Sequence, residues 1–164
     1  MKKLLLLFIT GLFIIAGCAE QATSTSADEG EFLALGETGA ISNMAGDYEI
    51  TVERVQRFEE YDGRTPAKDY FYLIDIEVVN TGDSVLIGND IIRSTLVGDN
   101  WEISENWYSA FLKEIPEQLQ PGESAEVELF FDQVDSESYR LNFAIGLAKP
   151  SSESRWQFSK GDIE

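Results

Sequence analysis

The 164-residue sequence predicts an all-β protein, an antiparallel β-sandwich of about seven strands. Three observations carry this. Apolar and polar residues alternate with the period of a strand over most of the chain past residue 32. Turn-forming residues fall between the alternating stretches. Only one stretch has the spacing of a helix.

The strands follow in order. Leu35 with Thr38 to Met44 makes a first, weak strand. In the second, Tyr48, Ile50 and Val52 alternate with Glu49, Thr51 and Glu53, giving one buried and one solvated face. Tyr72, Ile74, Ile76 and Val78 alternate with Leu73, Asp75, Glu77 and Val79, so this strand buries one face fully and part of the other, as a central strand does. Ile91 to Val97 is a further strand. Ala125, Val127, Leu129 and Phe131 alternate with Glu126, Glu128 and Phe130. Tyr139, Leu141, Phe143, Ile145 and Leu147 form the longest clean alternation, and Trp156 with Phe158 closes the set. Between them lie Asn80-Thr81-Gly82-Asp83, Gly98-Asp99-Asn100 and Gln120-Pro121-Gly122-Glu123, the last with Pro and Gly at the central positions of a type II turn. The exception is Ile103 to Leu119. There Ile103, Trp107, Phe111 and Ile115 recur every four residues, predicting a short helical or irregular segment near 103–117 that Pro116 ends.

Ahead of the sandwich, Met1-Lys2-Lys3 opens an apolar run, Leu4 to Ala16, of 13 residues. As a helix it would span about 20 Å, well short of the ~30 Å hydrocarbon core, so it is a signal-peptide core and not a membrane span. The run closes on Ile15-Ala16-Gly17-Cys18, which resembles the lipobox of bacterial lipoproteins at all four positions. The resemblance implies cleavage between Gly17 and Cys18 and a diacylglyceryl thioether on Cys18. An ordinary secretory signal with a stray cysteine is the alternative. Against it, Cys18 is the only cysteine of the chain, and an exported protein rarely keeps an unpaired thiol without a use. Ala19 to Glu31 holds no large apolar residue and is a tether, with an r.m.s. reach of about 20 Å. The expected organisation is a signal peptide over 1–17, a lipidated tether over 18–31 and the sandwich over 32–164.

Removing Lys2 and Lys3 with the signal leaves ten basic residues against thirty acidic ones, a formal charge of −20. Nucleic acid is therefore excluded as a natural partner, and anionic lipid would repel the domain, so the acyl group must hold it at the membrane. The mature chain, Cys18 to Glu164, suits one domain whose core is stabilised without a disulfide.

Enzyme chemistry has little to work with. The chain has no histidine, hence no Ser-His or Cys-His dyad and no commonplace zinc ligand. Gly-rich phosphate loops and G-x-S-x-G elbows are absent. Asn80-Thr81-Gly82 is only superficially like the Asp-Thr-Gly of aspartic proteases, because Asn cannot share the proton that mechanism needs. No catalytic residue, metal centre or cofactor is nominated.

Two constellations remain as binding candidates. Asp83 with Asn89 and Asp90, or Asp132 with Asp135 and Glu137, offer the hard oxygen ligands that calcium takes, without EF-hand spacing; as turn-capping acids they need no ion. Trp101, Trp107, Tyr108 and Phe111 are aromatics beside acids and amides, the composition of surfaces that grip sugars or peptides; packing over one end of the sandwich is the alternative.

Leu35-Gly36-Glu37, the strand bearing Ile50-Thr51-Val52, Tyr72 through Val79 ending in Asn80-Thr81-Gly82, then Leu119-Gln120-Pro121-Gly122-Glu123-Ser124 and Val127 through Asp132, form an order that is similar to a family of bacterial secreted and lipoprotein domains of unknown function. Its structural relative is a mycobacterial immunoprotective extracellular antigen. The resemblance spans about 110 residues and implies an immunoglobulin-like sandwich; it supplies no catalytic residue. The expected role is an exported lipoprotein on the outer face of the cell membrane, or in the periplasm or outer membrane of a two-membrane envelope. It would bind another envelope or secreted protein through a sheet face, end loops or an exposed edge strand. A calcium or wall-glycan module and a structural spacer are the alternatives.

Overall fold

The computed structural model describes residues 32–106, 116–143 and 154–164. Its strands are β1 (Phe32–Leu33), β2 (Thr38–Asn43), β3 (Gly46–Phe58), β4 (Tyr70–Asn80), β5 (Leu86–Ile87), β6 (Ser94–Gly98), β7 (Ile103–Glu105), β8 (Gln118–Leu119), β9 (Ser124–Gln133), β10 (Ser138–Phe143) and β11 (Arg155–Ser159), with a single-turn helix α1 (Gly88–Ile91) and a 3₁₀ turn at Lys160–Asp162. The strands of five residues or more are β2, β3, β4, β6, β9, β10 and β11, the seven that alternation predicts.

Two sheets stack as a sandwich. One has the order β1-β11-β10-β6-β7 and the other β2-β3-β4-β9, with β5-β8 a separate two-stranded ribbon. The core between them is built from the inward faces: Tyr48, Ile50, Val52, Val55, Tyr72, Ile74, Ile76, Val78, Val127, Leu129 and Phe131 from one sheet, and Leu96, Tyr139, Leu141, Phe143, Trp156 and Phe158 from the other. β4 is central, as expected, and its second face is half buried where Phe71 and Leu73 pack with Phe130, Phe58 and Tyr61 in a smaller cluster on the outside of the sheet.

Four departures from the sequence expectation have physical causes. β3 runs on to Phe58 because a bulge between Val52 and Arg54 resets the phase, so that Val55 again faces the core. Ile91 and Ile92 belong to the end of α1, and β6 starts only at Ser94; an Ile-Ile pair has no period of its own, and both side chains are buried as helix end and cap. Ile103–Glu105, expected as the start of a helical or irregular segment, is a strand antiparallel to β6, while residues 107–115, like Ile145 and Leu147, lie outside the described residues. Finally, β1 pairs parallel to β11, against an all-antiparallel expectation. After β1 the chain turns at Gly36, which has a positive φ of 84°, and crosses into the other sheet as β2 instead of doubling back.

Turn chemistry holds the connections. Gln120–Glu123 is a type II turn, with Gly122 at φ 81° and the Glu123 amide donating to the Gln120 carbonyl at 3.0 Å. Buried Asn80 donates from its side chain to the carbonyls of Ser84 and Leu119 at 2.8 Å, while its Oδ1 accepts from the Gly82 amide. At the β9–β10 corner the Tyr139 hydroxyl accepts from the Ser136 amide at 2.7 Å, the backward bond of the tyrosine corner in immunoglobulin-like sandwiches.

The sandwich has two ends. Phe32, Asn43, Gly46, Asn80, Ser94, Phe143 and Arg155 mark the proximal one, where the described chain begins; Phe58, Tyr70, Gly98, Gln133, Ser138 and Ser159 mark the distal one. Side chains occupy edge positions on both flanks. The Phe130 amide and Asp132 carbonyl of β9 are bonded by Asn106 and Ser104, and the Ala40 carbonyl of β2 accepts from Ser154. A strand added at either edge would displace these bonds.

Candidate functional site at the distal end

Four connections converge at the distal end: the β6–β7 hairpin, the loop between β3 and β4, the β9–β10 corner and the C-terminal 3₁₀ turn. The hairpin turns tightly at Gly98, whose missing Cβ leaves room for the Ser136 and Asn100 side chains. The Trp101 amide donates to the Gly98 carbonyl at 3.0 Å and the Glu102 amide to Asn100 Oδ1 at 3.0 Å. This geometry forces Trp101 into the left-handed region at φ 65°, a conformation that costs a large side chain about 1 kcal/mol or more. Trp101 is nevertheless 73% exposed, with the guanidinium of Arg140 4.5 Å from the ring centroid. Arg140 stands on the outer face of β10, level with Val97 of β6, which is also opposite Ile103, an exposed apolar residue of β7. Trp101, Arg140 and Ile103 thus share one corner.

A polar lattice fixes that corner from below. Buried Asp132 accepts from the Ala67 and Lys68 amides at 2.7 and 2.9 Å, pinning the β3–β4 loop to β9. Lys68 Nζ then donates to Ser104 Oγ at 2.9 Å and pairs with Glu102 at 3.1 Å, next to Trp101. Fully buried Gln133 donates to the carbonyls of Leu96 and Glu102 at 2.8 and 2.9 Å, so one amide joins the two sheets. The β3–β4 loop is itself a tight hairpin: Tyr61 and Arg64 exchange both backbone bonds around Asp62-Gly63, each with a positive φ, as a type I′ turn requires. Tyr61 returns against Phe58 and Phe130 at centroid distances of 5.3 and 5.2 Å.

On the other side of the same end, Asp135 pairs with Lys160 and with Arg57 at 3.2 Å. The hydrogen bond from Lys160, reinforced by the charge of Arg57, holds the Asp135 carboxyl below its ordinary range even though partial burial acts the other way. Tyr72 and Tyr139 join their hydroxyls at 2.6 Å within the core, and burial pushes both phenols up, so both stay neutral at any physiological pH. These groups offer hydrogen bonds and packing, without a nucleophile–base pair.

Two of the acids considered as calcium ligands are engaged otherwise. Asp132 is spent on backbone amides, Asp135 on cations, and among the described residues no group of three or more acids is arranged to hold a metal. A small open groove of about 210 Å³ lies instead on the solvent face of the four-stranded sheet, lined by Glu53, Arg54, Asp75, Ile76, Glu126, Val127 and Glu128. It sits where the bulge turns Glu53 and Arg54 outward, and Arg54 pairs with Asp75. Its size is below that of drug-sized ligand sites and its walls are charged.

Of the aromatic candidates, Trp101 is placed at the distal hairpin, whereas Trp107, Tyr108 and Phe111 lie outside the described residues, as do Gly17 and Cys18. Asn106, the residue before Trp107, is bonded at the other end of β7, where its amide donates to the Ser94 carbonyl. Sequence reasoning missed Arg140, Lys68 and the Asp62-Gly63 turn. The last carries a readable hairpin signal, Asp-Gly; Arg140 becomes visible only once β10 and the hairpin are in register.

No curated protein sequence matches the chain. Solved structures share the fold. A secreted protein of Mycobacterium tuberculosis, MPT63, superposes with a TM-score of 0.57 at 9% identity, covering 78% of this chain and 98% of its own. An uncharacterised β-sandwich protein of Clostridium difficile gives a TM-score of 0.53 at 13% identity, over 82% of this chain and 99% of its own. A candidate lipoprotein of Staphylococcus aureus gives 0.52 at 12% identity, over 77% and 96%. At these identities the likeness establishes the immunoglobulin-like sandwich. In sequence, residues 39–152 match the domain of unknown function DUF4352, more than half of the chain, and the protein belongs to that family.

Proposed function

We propose that this protein is a lipid-anchored, non-catalytic binding domain of the bacterial cell envelope that presents its distal corner to a protein partner. The observation that carries the reading is Trp101: a large aromatic, exposed and backbone-strained, clamped under Arg140 at the end opposite Phe32. Strain at an exposed aromatic has no benefit for folding, and Trp and Arg are the side chains that most often anchor protein interfaces. The lipobox at Ile15–Cys18 and the tether supply the anchor. Among the described residues no helix is long and apolar enough to cross a membrane. The secreted and candidate-lipoprotein descriptions of proteins sharing the fold agree with an envelope location.

Three measurements test the reading. The mature wild-type protein is expected to carry a diacylglyceryl mass on Cys18 that is missing from Cys18→Ser; wild type without that mass refutes the anchor. For the partner, a photo-crosslinking residue at position 103 in intact cells is expected to give a recurrent protein adduct that Trp101→Ala abolishes. Adducts that survive Trp101→Ala, or none at all, refute the corner as the contact, and quenching of Trp emission by wall glycan fragments would assign it to a sugar instead.

A further inference from the structure

Five large apolar side chains are markedly exposed among the described residues, and they divide between the two ends. Trp101 and Ile103 occupy the distal corner; Met44, Val85 and Ile87, 73%, 40% and 46% exposed, occupy the proximal end. The latter belong to adjoining connections. The Thr81 and Gly82 amides both donate to the Asp47 carbonyl at 3.2 and 2.9 Å, and Gly46 lies so close to Leu86 that a Cβ there would come within 2.6 Å of its Cδ2. Leu86 turns into the core, and the residues on either side of it, Val85 and Ile87, therefore turn out. Asn43 fixes the β2–β3 tip, accepting from the Ala45 amide at 2.8 Å and donating to the Tyr48 hydroxyl, so Met44 projects from a rigid hairpin.

Phe32 is at this same end, opposite Arg155 at the start of β11. Thirteen residues, Ala19–Glu31, separate it from Cys18 in sequence; as the tether expected from their composition they would have an r.m.s. reach of about 20 Å. We propose that, given the lipid anchor on which this inference rests, the proximal end lies on the outer leaflet with Met44, Val85 and Ile87 entering the boundary between headgroups and acyl chains. A tether of that length keeps these side chains at high effective concentration over the bilayer, so even a small apolar patch is held there. Asp47, Asp83 and Asp90 stand on the same connections, and their repulsion from anionic headgroups keeps the contact shallow. The arrangement also turns the Trp101 corner away from the membrane.

The test uses the full lipidated protein in phosphatidylcholine vesicles. Acylation consumes the only native thiol, so single variants Met44→Cys, Val85→Cys, Ile87→Cys and, at the distal corner, Ile103→Cys can each be labelled with an environment-sensitive fluorophore. The expected result is blue-shifted emission at 44, 85 and 87 that nitroxide lipids quench, with neither effect at 103. Acylated, vesicle-bound protein whose proximal labels behave like the label at 103 overturns the inference while leaving the anchor intact. A blue shift that nitroxide lipids do not quench assigns the patch to a protein or second copy and overturns it as well. Absence of the diacylglyceryl mass on Cys18 overturns the anchor, and this inference with it.

Discussion

At the proximal end of the sandwich, Leu86 and Leu119 face each other across the β5–β8 ribbon and, with Ile91 and Ile92 from α1, close the core mainly with hydrocarbon, buried Asn80 adding side-chain bonds to the Ser84 and Leu119 carbonyls. At the distal end, the closing groups are Asp132, Gln133, Ser104 and the Tyr72–Tyr139 hydroxyl pair, each tied to a named partner. Apolar closure is non-directional: any side chain of suitable volume excludes water there, and the outward neighbours are left without a shape to match. Polar closure is directional. Each buried acceptor must meet its donor, so it fixes the register of loops that hydrophobic contact alone would leave loose. The corner that holds Trp101 in a strained conformation is built on the second kind of closure.

The largest loss is expected at the apolar end. Leu86 is fully buried and also receives Gly46 of the β2–β3 hairpin, so Leu86→Ala removes its own contacts and loosens two connections at once. A loss of about 3 kcal/mol in denaturant unfolding is expected for the cavity left behind. A loss below about 1 kcal/mol would mean that the ribbon is a surface flap and that the core is closed without it.

Removing a polar closure should cost less overall but act more locally. Asp132→Ala leaves the Ala67 and Lys68 amides without their acceptor and is expected to cost about 2 kcal/mol. Its signature is faster hydrogen exchange and proteolysis confined to residues 59–69, with the proximal strands unchanged. Uniform loosening of the whole sandwich would erase the distinction between the two ends.

The same contrast explains what the sequence discloses. Apolar burial writes itself as period, so Tyr72, Ile74, Ile76 and Val78 announce β4, and all seven long strands are legible from alternation. Where burial and period separate, legibility fails. Phe71, Leu73 and Phe130 point outward yet are buried by Phe58 and Tyr61, and the bulge at Glu53 shifts the phase of β3 halfway along. The site is less legible still. Trp101 is visible as an aromatic beside turn residues, but its exposure depends on a positive φ, and Arg140 reaches it only through pairing of β6 with β10. The bonds of Asp132 and Gln133 join positions far apart in sequence, and side chains of their kind, acids and amides, are indistinguishable beforehand from ordinary turn-capping residues.

The smallest expected effect is the one that separates the ends by pH. Asp135 has its carboxyl lowered by the hydrogen bond from Lys160, and Lys160 has its ammonium raised by the same bond. A carboxyl lowered on folding stabilises the native state above its unfolded value, and that contribution fades as pH falls through the folded value. A raised lysine stabilises below its unfolded value and fades as pH rises through the folded one. Wild type should therefore be modestly more stable than Asp135→Asn across the neutral range, and the gap should close on the acid side below the ordinary carboxylate range and again on the alkaline side above that of lysine. Leu86→Ala, which removes only hydrocarbon, should show a gap of constant size across the same range. Melting temperatures of the three proteins taken from acid to alkaline pH decide this. A gap for Asp135→Asn that ignores pH would show that its bonds to Lys160 and Arg57 contribute packing and not charge, and the distal end would then be closed in the same way as the proximal one.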